Sequence, residues 1–338
     1  MQKYPPLDNT SPWHDGERTV RRHAGAEERM EAIGPRAIIS SLLPAHRAFY
    51  AKLPYAVLGT VDEGGCPWAT LIAGAPGFIA ARDISHLHVK GHLQSGDPAD
   101  AGWKVTADVA TLGIELLTRR RIRANGVLVD VTADCALLQV RQAFGNCPKY
   151  IQAREVSFSW DPATDWNGRV AATEELSESA RAIIASADTF FVASYTDRQD
   201  NVRRAVDVSH RGGKPGFVRV EGNRLSIPDF SGNQYFNTLG NFIHVARAGL
   251  VFLSFETGDL LQVTGDVTID FDSTELHAFA GAERVWHVNV RQCVLRQAVL
   301  PLRFNSGEPS PNTLATGSWR DALADDGRTV LTKGFNSA

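Results

Sequence analysis

The sequence predicts a mainly β protein with flanking helices (α+β), in which one β unit is built twice. Two observations carry this. Gly74-Ala-Pro-Gly-Phe78 returns 139 residues later as Gly213-Lys-Pro-Gly-Phe217, and the same offset carries Thr118 onto Thr257 and Gly126 onto Gly265, as expected of a supersecondary unit present in two copies. Short apolar runs bounded by Gly, Pro, Asn and Asp also recur at regular spacing, a pattern of barrels and sandwiches. With 338 residues, 43% of them hydrophobic and 22% charged, the chain is long enough for two or three ordinary globular domains.

The elements follow in order. Residues 24–32 are rich in helix formers, and Pro35 is expected to end that helix; a second helical stretch covers 36–52. Strands are expected at 55–60, 68–73, 86–90, 109–117, 121–131 and 137–143, punctuated by glycine-rich turns. A polar joint, Asp161–Gly168, precedes a helix over 173–184 with acidic residues in its first turn, which suits the helix dipole. The strand series then restarts at 189–195, 204–208, 216–220, 225–227, 250–255, 260–269 and 287–295. Even the closing strands match, Val140-Arg-Gln142 against Val290-Arg-Gln292. The expected organisation is a helical arm (1–52), a first β unit (53–160), a second (161–303) and a loosely attached tail (304–338).

Composition excludes several functions. A formal net charge of −3 gives no reason to expect nucleic acid or an anionic membrane as partner. The one dense basic cluster, Arg119-Arg-Arg-Ile-Arg123, reads as a solvated strand face or a single anion contact. Cys66, Cys135, Cys147 and Cys293 lack zinc-site or disulfide-framework spacing, so no metal site is expected. His14 and Glu17 stand three apart, which suits a metal less well than a helix cap. The polar N-terminus lacks a signal-peptide core, and no apolar run approaches the roughly 18 residues of a membrane helix. A cytoplasmic protein is the expectation.

The polar, glycine-spaced segments concentrate in the second unit. Asp207-Val-Ser-His-Arg-Gly-Gly213 is read as leaving a strand for a turn, where the glycines free the backbone and Ser209, His210 and Arg211 suit an anion. A plain glycine turn with exposed polar side chains reads equally well. Ile227-Pro-Asp-Phe-Ser-Gly-Asn233 adds Pro228, Asp229, Ser231 and Asn233 beside Gln234. Asn237-Thr-Leu-Gly-Asn241 opens a helix whose N–H groups favour anions, with Asn237 and Thr238 also suited to capping. The first unit has only Ala69-Thr-Leu-Ile-Ala-Gly74 at the place of the first segment. Catalytic residues are not assigned: no Ser-His-Asp spacing or paired carboxylates stand out.

These segments resemble the pyridoxamine-phosphate-oxidase-like flavin nucleotide-binding proteins, most closely over 189–271. The resemblance implies two tandem FMN-binding split β-barrels forming a pseudo-dimer, with FMN as cofactor. Asp207, Val208, Ser209, His210, Arg211, Gly212 and Gly213 would line its site with Ile227, Pro228, Asp229, Ser231, Asn233, Gln234, Asn237, Thr238 and Asn241. Gln262 would match the family's cofactor-contacting glutamine. After the first closing strand, Asn146, Cys147, Lys149 and Tyr150 would complete the site. The family's phosphate-binding Arg-Lys pair is replaced by Asn233 and Gln234, so His210 and Arg211 would supply the charge. The implied activity is an FMN-dependent oxidoreductase acting on a small molecule or NAD(P)H, as a monomeric pseudo-dimer or a homodimer. A non-catalytic flavin carrier or sensor, or a barrel binding haem or a deazaflavin, are the alternatives.

Overall fold

A computed structural model describes residues 11–197 and 204–319. Three helices come first: α1 (Asp15–His23), α2 (Glu27–Ala37) and α3 (Pro44–Ala51). Seven strands follow, β1 (Tyr55–Val61), β2 (Pro67–Ala73), β3 (Ile79–Ala81), β4 (His86–Lys90), β5 (Asp108–Glu115), β6 (Arg120–Val131) and β7 (Cys135–Gly145). Then come β8 (Arg154–Phe158), β9 (Val170–Thr173), α4 (Glu178–Ser186), β10 (Thr189–Asp197), β11 (Arg204–Gly212), β12 (Arg219–Glu221) and β13 (Arg224–Phe230). The chain continues through α5 (Asn237–His244), β14 (Arg247–Leu253), β15 (Leu260–Asp270), β16 (Ala282–Arg296), β17 (Leu302–Ser306) and α6 (Pro311–Leu314).

The protein is mainly β. One sheet runs β2-β1-β5-β6-β7-β4-β3 and the other β11-β10-β14-β15-β16-β13-β12, with β9 attached to β16. Neither path closes into a ring, and taken strand by strand the two orders are the same. Each sheet also carries a bulge at the same place. Asn125 and Gly126 pair with Gln142 and Val140, and Thr264 and Gly265 pair with Gln292 and Val290. At these bulges a Cβ on Gly126 would lie 1.9 Å from the Gln139 carbonyl oxygen, and one on Gly265 2.3 Å from that of Asn289. Only glycine allows the partner backbone that close.

The Gly-x-Pro-Gly-Phe segments are turns built by the same rule. Phe78 N–H donates to Ala75 and Phe217 N–H to Lys214, with Gly77 and Gly216 in the left-handed region at φ 93° and 85°. Proline followed by such a glycine is the chemistry of a type II turn. The first glycine lets the phenylalanine fold back: a Cβ on Gly74 or Gly213 would meet the ring at 2.5 or 2.4 Å.

Strands β1 and β10 are buried along nearly their whole length, because each is covered on both faces. Ala56 and Leu58 pack into the core of the first sheet, and Phe190 and Val192 into that of the second. Their alternates, Tyr55, Val57, Phe191, Ala193 and Tyr195, form a third core between the sheets. The sheets approach so closely that a Cβ on Gly249 would lie 2.2 Å from the Pro67 carbonyl oxygen.

Several expectations are corrected. Ser209–Arg211 and Pro228–Asp229, expected beyond strands ending at 208 and 227, lie within β11 and β13, because both strands continue their ladders to Gly212 and Phe230. Helix α2 runs two residues beyond Pro35, and the stretch after it holds an isolated bridge, Ile39 to Ala143, before α3. The helix expected over 173–184 begins at Glu178, where the Ser177 side chain caps the Ala180 N–H. The tail is not loose where described: Leu302–Ser306 pairs with Arg154–Phe158, and Trp319 is buried, donating from Nε1 to the Phe217 carbonyl. Residues 1–10 of the arm and 320–338 of the tail lie outside the described residues.

Gly249→Ala is expected to destabilise the protein by about 1–3 kcal/mol through overpacking between the sheets. A thermal melt measures this, and an unchanged Tm would mean that this contact does not lock the sheets together.

Candidate functional site

The site begins with a buried ion pair across the two sheets. On β6, the side chains of Arg121, Arg123 and Asn125 alternate onto one face and meet β11. Arg123 is 4% exposed. Its Nε lies 3.1 Å from Asp207 Oδ1 and donates to the Val208 carbonyl at 2.8 Å. Its remaining nitrogens donate to Asn146 Oδ1, at 2.6 Å, and to Ser209 Oγ. Ser209 Oγ donates in turn to Asp207 Oδ2 and accepts from Thr238 Oγ1. A buried guanidinium survives only with such full hydrogen bonding.

Above this pair lies a cleft of about 770 Å³, lined from both sheets. Arg121, Arg123, Asn146, Cys147, Lys149 and Tyr150 come from the first half; Ser209, His210, Arg211, Gly212, Pro228, Asp229, Asn233, Gln234, Asn237 and Thr238 come from the second. Phe217, Phe230, Gly232 and Phe236 complete it. The halves touch at Gly212, where a Cβ would lie 2.1 Å from the Tyr150 carbonyl oxygen. The Tyr150 hydroxyl donates to the Ser231 carbonyl, and its ring stacks on Phe230 at 5.3 Å. Tyr150, Gln234 and Phe236 all have left-handed backbones, φ 54–63°, a strain of order 1 kcal/mol each that clusters at functional sites.

The charge is uneven. Arg211 pairs with Asp229 at 3.0 Å, and Asp229 also holds Arg284 at 2.9 Å. Arg121 donates to the Cys147 carbonyl, from Nε at 3.0 Å and Nη2 at 2.6 Å. It has no carboxylate partner among the described residues. Burial, then Arg123 and Arg211 nearby, push Arg121 down to about 9, so it remains charged at neutral pH. His210 goes the other way from the expectation that it supplies charge. Burial, then Arg121, Arg211 and Arg154, push it well below its ordinary value, and it is a neutral imidazole. Its Nε2, Asn146 Nδ2 and Arg211 Nε are buried without hydrogen-bond partners among the described residues.

The expected site residues therefore divide. Asp207 and Val208 lie beneath the cleft as partners of Arg123, Gly213 packs on Phe217, and Ser231 contributes its carbonyl. Ile227 belongs to the core of the second sheet. Gln262 is fully buried away from the cleft: it donates to the Ala69 carbonyl and Asp97 Oδ1 and accepts from Arg296 Nε. Arg121, Arg123, Phe217, Phe230, Gly232 and Phe236 line the cleft but were outside the expected site set; the arginine cluster, read as a solvated strand face or a single anion contact, is buried at Arg123. The spacing of Arg121 and Arg123, two apart on a strand, was the available signal.

Asn241 sits in a second cleft under α1, donating to Ser194 Oγ and contacting His14 Nε2 through Oδ1. Helix α1 reaches α5 through Gly16 and Gly240, where a Cβ on Gly16 would fall 2.2 Å from the Gly240 carbonyl oxygen. The expected helix cap is observed: the Glu17 carboxylate accepts the His14 N–H at 3.1 Å, and it also accepts from Asn237 Nδ2 at 2.6 Å. Asn237 and Thr238 do not cap α5, whose N-cap is Phe236.

No protein-family model matches the chain, and no curated protein matches it. Among solved structures, a Lactobacillus delbrueckii protein provisionally assigned as a pyridoxamine 5'-phosphate oxidase shares 16% identity over 31% of this chain and 94% of its own, at TM-score 0.26. A Bacteroides thetaiotaomicron protein provisionally assigned to 5-nitroimidazole antibiotic resistance shares 15% over 42% and 93%, at TM-score 0.26. MrkH from K. pneumonia, in complex with c-di-GMP, shares 10% over 77% and 87%, at TM-score 0.24. These similarities are weak and bear no functional weight.

Two outcomes follow. Arg123→Met leaves Asp207 buried without its cation and is expected to cost about 3–5 kcal/mol; adding Asp207→Asn should recover part of that in denaturant melts. A purely additive double variant would separate the two residues. Burial pushes the Glu17 carboxyl from 4.5 up to about 7, against Arg21 and the His14 and Asn237 donors. The folded protein then keeps a proton that the unfolded chain loses. This contribution to stability is full below pH 4.5 and falls by about 3 kcal/mol as pH rises through 7. The Tm of Glu17→Gln relative to the parent should therefore climb from pH 5 to pH 8, whereas parallel profiles would contradict the shift.

Proposed function

We propose that this chain is an FMN-binding flavoprotein of the pyridoxamine-phosphate-oxidase-like split-barrel type. In this reading it is an oxidoreductase whose two sheets act as a pseudo-dimer with one cofactor. The observation that carries the reading is the set of orphaned polar atoms in the main cleft, the Asn146 and Arg211 donors foremost. Asn146 Nδ2, Arg211 Nε and His210 Nε2 are unpartnered beside Arg121, a cation with no carboxylate partner among the described residues. Buried polar groups are rarely left unsatisfied, so a ligand rich in acceptors and negative charge is the natural complement.

FMN fits these residues. Arg121, Arg211 and Lys149 would hold a phosphate, while Asn146 and His210 would meet ring or ribityl oxygens. Tyr150, Phe230 and Phe236 offer apolar faces for a flat ring. Bound flavin would supply two-electron chemistry between NAD(P)H or a reduced substrate and an acceptor; the protein binds, orients and shields it.

A single cofactor is supported by the corresponding region of the other half. The 139-residue offset puts Thr70 where Ser209 stands and Gln262 where Arg123 stands, and the matched closing strands put Arg296 at the place of Asn146. There the space is filled from within. Arg296 and Asp97, each 1% exposed, form an ion pair at 2.7 Å, with Gln262 and Thr70 hydrogen-bonded to it.

Purified protein should show a flavin spectrum or take up added FMN, and NAD(P)H should bleach it. Bound flavin that stays inert would make the protein a carrier or sensor, a Soret band would turn the reading toward haem at His210, and no uptake would defeat it. Arg121→Ala is expected to weaken FMN binding about 10- to 100-fold, as the loss of a charge-assisted hydrogen bond implies, with riboflavin affinity unchanged. Equal losses for both ligands would remove Arg121 from phosphate recognition.

A further inference from the structure

The second cleft, about 360 Å³, is lined by Pro12, His14 and Glu17 from the N-terminal region, Asn125 and Gln142 from the first sheet, and Ala205, Val206, Asp207, Asn237 and Asn241 from the second half. It contains two carboxylates and four side-chain amides, and no lysine or arginine among the described residues lines it. The acidic pair alone would say little, since Asp207 is neutralised by Arg123. The informative atom is Asn125 Oδ1. Asn125 is 6% exposed, and its Oδ1 is buried with no hydrogen-bond partner among the described residues. The amide cannot be turned round to relieve this. Its Nδ2 donates to Asp207 Oδ1 at 3.2 Å, and a carboxylate facing Oδ1 would be two acceptors in contact.

A group entering here must donate. Asn125 Oδ1 has no donor among the described residues, and the Glu17 oxygens, which accept from the His14 N–H and Asn237 Nδ2, have further lone pairs. Positive charge is favoured over a neutral donor because Glu17 is buried at 3% exposure; His14 Nε2 stands 3.8 Å from it and is hydrogen-bonded to Asn241 Oδ1, and the Arg21 guanidinium donates to the Gln234 and Tyr235 carbonyls instead. Three or more His, Cys, Asp or Glu side chains placed to hold a metal ion are absent among the described residues, and the unpartnered amide oxygen beside a carboxylate suits a hydrogen-bonding organic cation.

We propose that this second cleft binds a primary ammonium group, held between Asn125 Oδ1 and the Glu17 carboxylate. The group could be a free small amine or the amino end of a larger substrate; the recognition is the same. The site stands independently of flavin binding in the neighbouring cleft, although Asn237 lines both.

The probe is methylammonium chloride, titrated at pH 8 and constant ionic strength, with tetramethylammonium chloride as a cation that cannot donate. Methylammonium should raise the Tm saturably, as a ligand of the native state does, and tetramethylammonium should not. Glu17→Gln and Asn125→Leu should each weaken the response at least fivefold. Equal responses to the two salts, no saturable rise, or variants that respond like the parent would each overturn the proposal. Should Asn125→Leu fail to fold, NMR of ¹³C-methylammonium with the parent and Glu17→Gln decides: exchange broadening lost in Glu17→Gln supports the site, and broadening retained or absent in both overturns it. Glycine ethyl ester, carrying the same ammonium on a larger body, then distinguishes the sources: competition with methylammonium means that the cleft admits the end of a larger molecule, and its failure restricts the site to free small amines.

Discussion

Arg123 and Asp207 meet across the two sheets, and the chemistry around them depends on that pair. Removing a guanidinium and a carboxylate from water costs several kcal/mol per ion, which is recovered only through close geometry and complete hydrogen bonding. Here the guanidinium spends its donors on Val208, Asn146 and Ser209 as well as Asp207. The pair thereby fixes the height of β11 against β6 and orients Asn146 and Ser209 toward the cleft. It also divides two environments. Above it lie Arg121, Arg211 and Lys149, an electropositive recess; on the α1 side lie Glu17, Asn125 and Asn241, a recess of acceptors.

The frame that permits this contact is made by backbone constraints shared between the halves. Both sheets have the same strand order, the same bulge and the same proline-glycine turn with a phenylalanine folded over its leading glycine. Side chains then break the equivalence. Where one half opens a cleft beside Ser209 and Asn146, the corresponding place in the other is occupied by Arg296 and Asp97. A salt bridge excluded from solvent on both sides leaves little room for a ligand. Similar frames have opposite uses because a few residues of matching position differ in length and charge.

Much of the frame was legible in the sequence. Alternating runs, turn residues and the repeat located nearly all strands of both sheets, since each signal acts over a few residues. The errors arose where tertiary contacts overrode local cues. Ser209–Arg211 looked like a turn because it is polar and runs into glycines, yet Ser209 bonds across the interface to Arg123 and the ladder with β10 continues. The segment after 304 looked loose for its Pro and Gly, yet β8 supplies a pairing strand and Phe217 a carbonyl for Trp319.

The sequence by itself determined where the backbone must turn, bulge or pair, because glycine, proline and apolar alternation restrict φ and ψ locally. It also marked most of the polar residues that line the main cleft. Only the tertiary structure decided which of them meet. Arg123 and Val208 are 85 residues apart, and Gln262 and Ala69 are 193 apart. Packing of one sheet on the other brought Arg121 and Arg123 into the cleft and took Gln262 and Asn241 out of it. Hydrogen bonds between sheets are set by distance in space, which spacing along the chain does not encode.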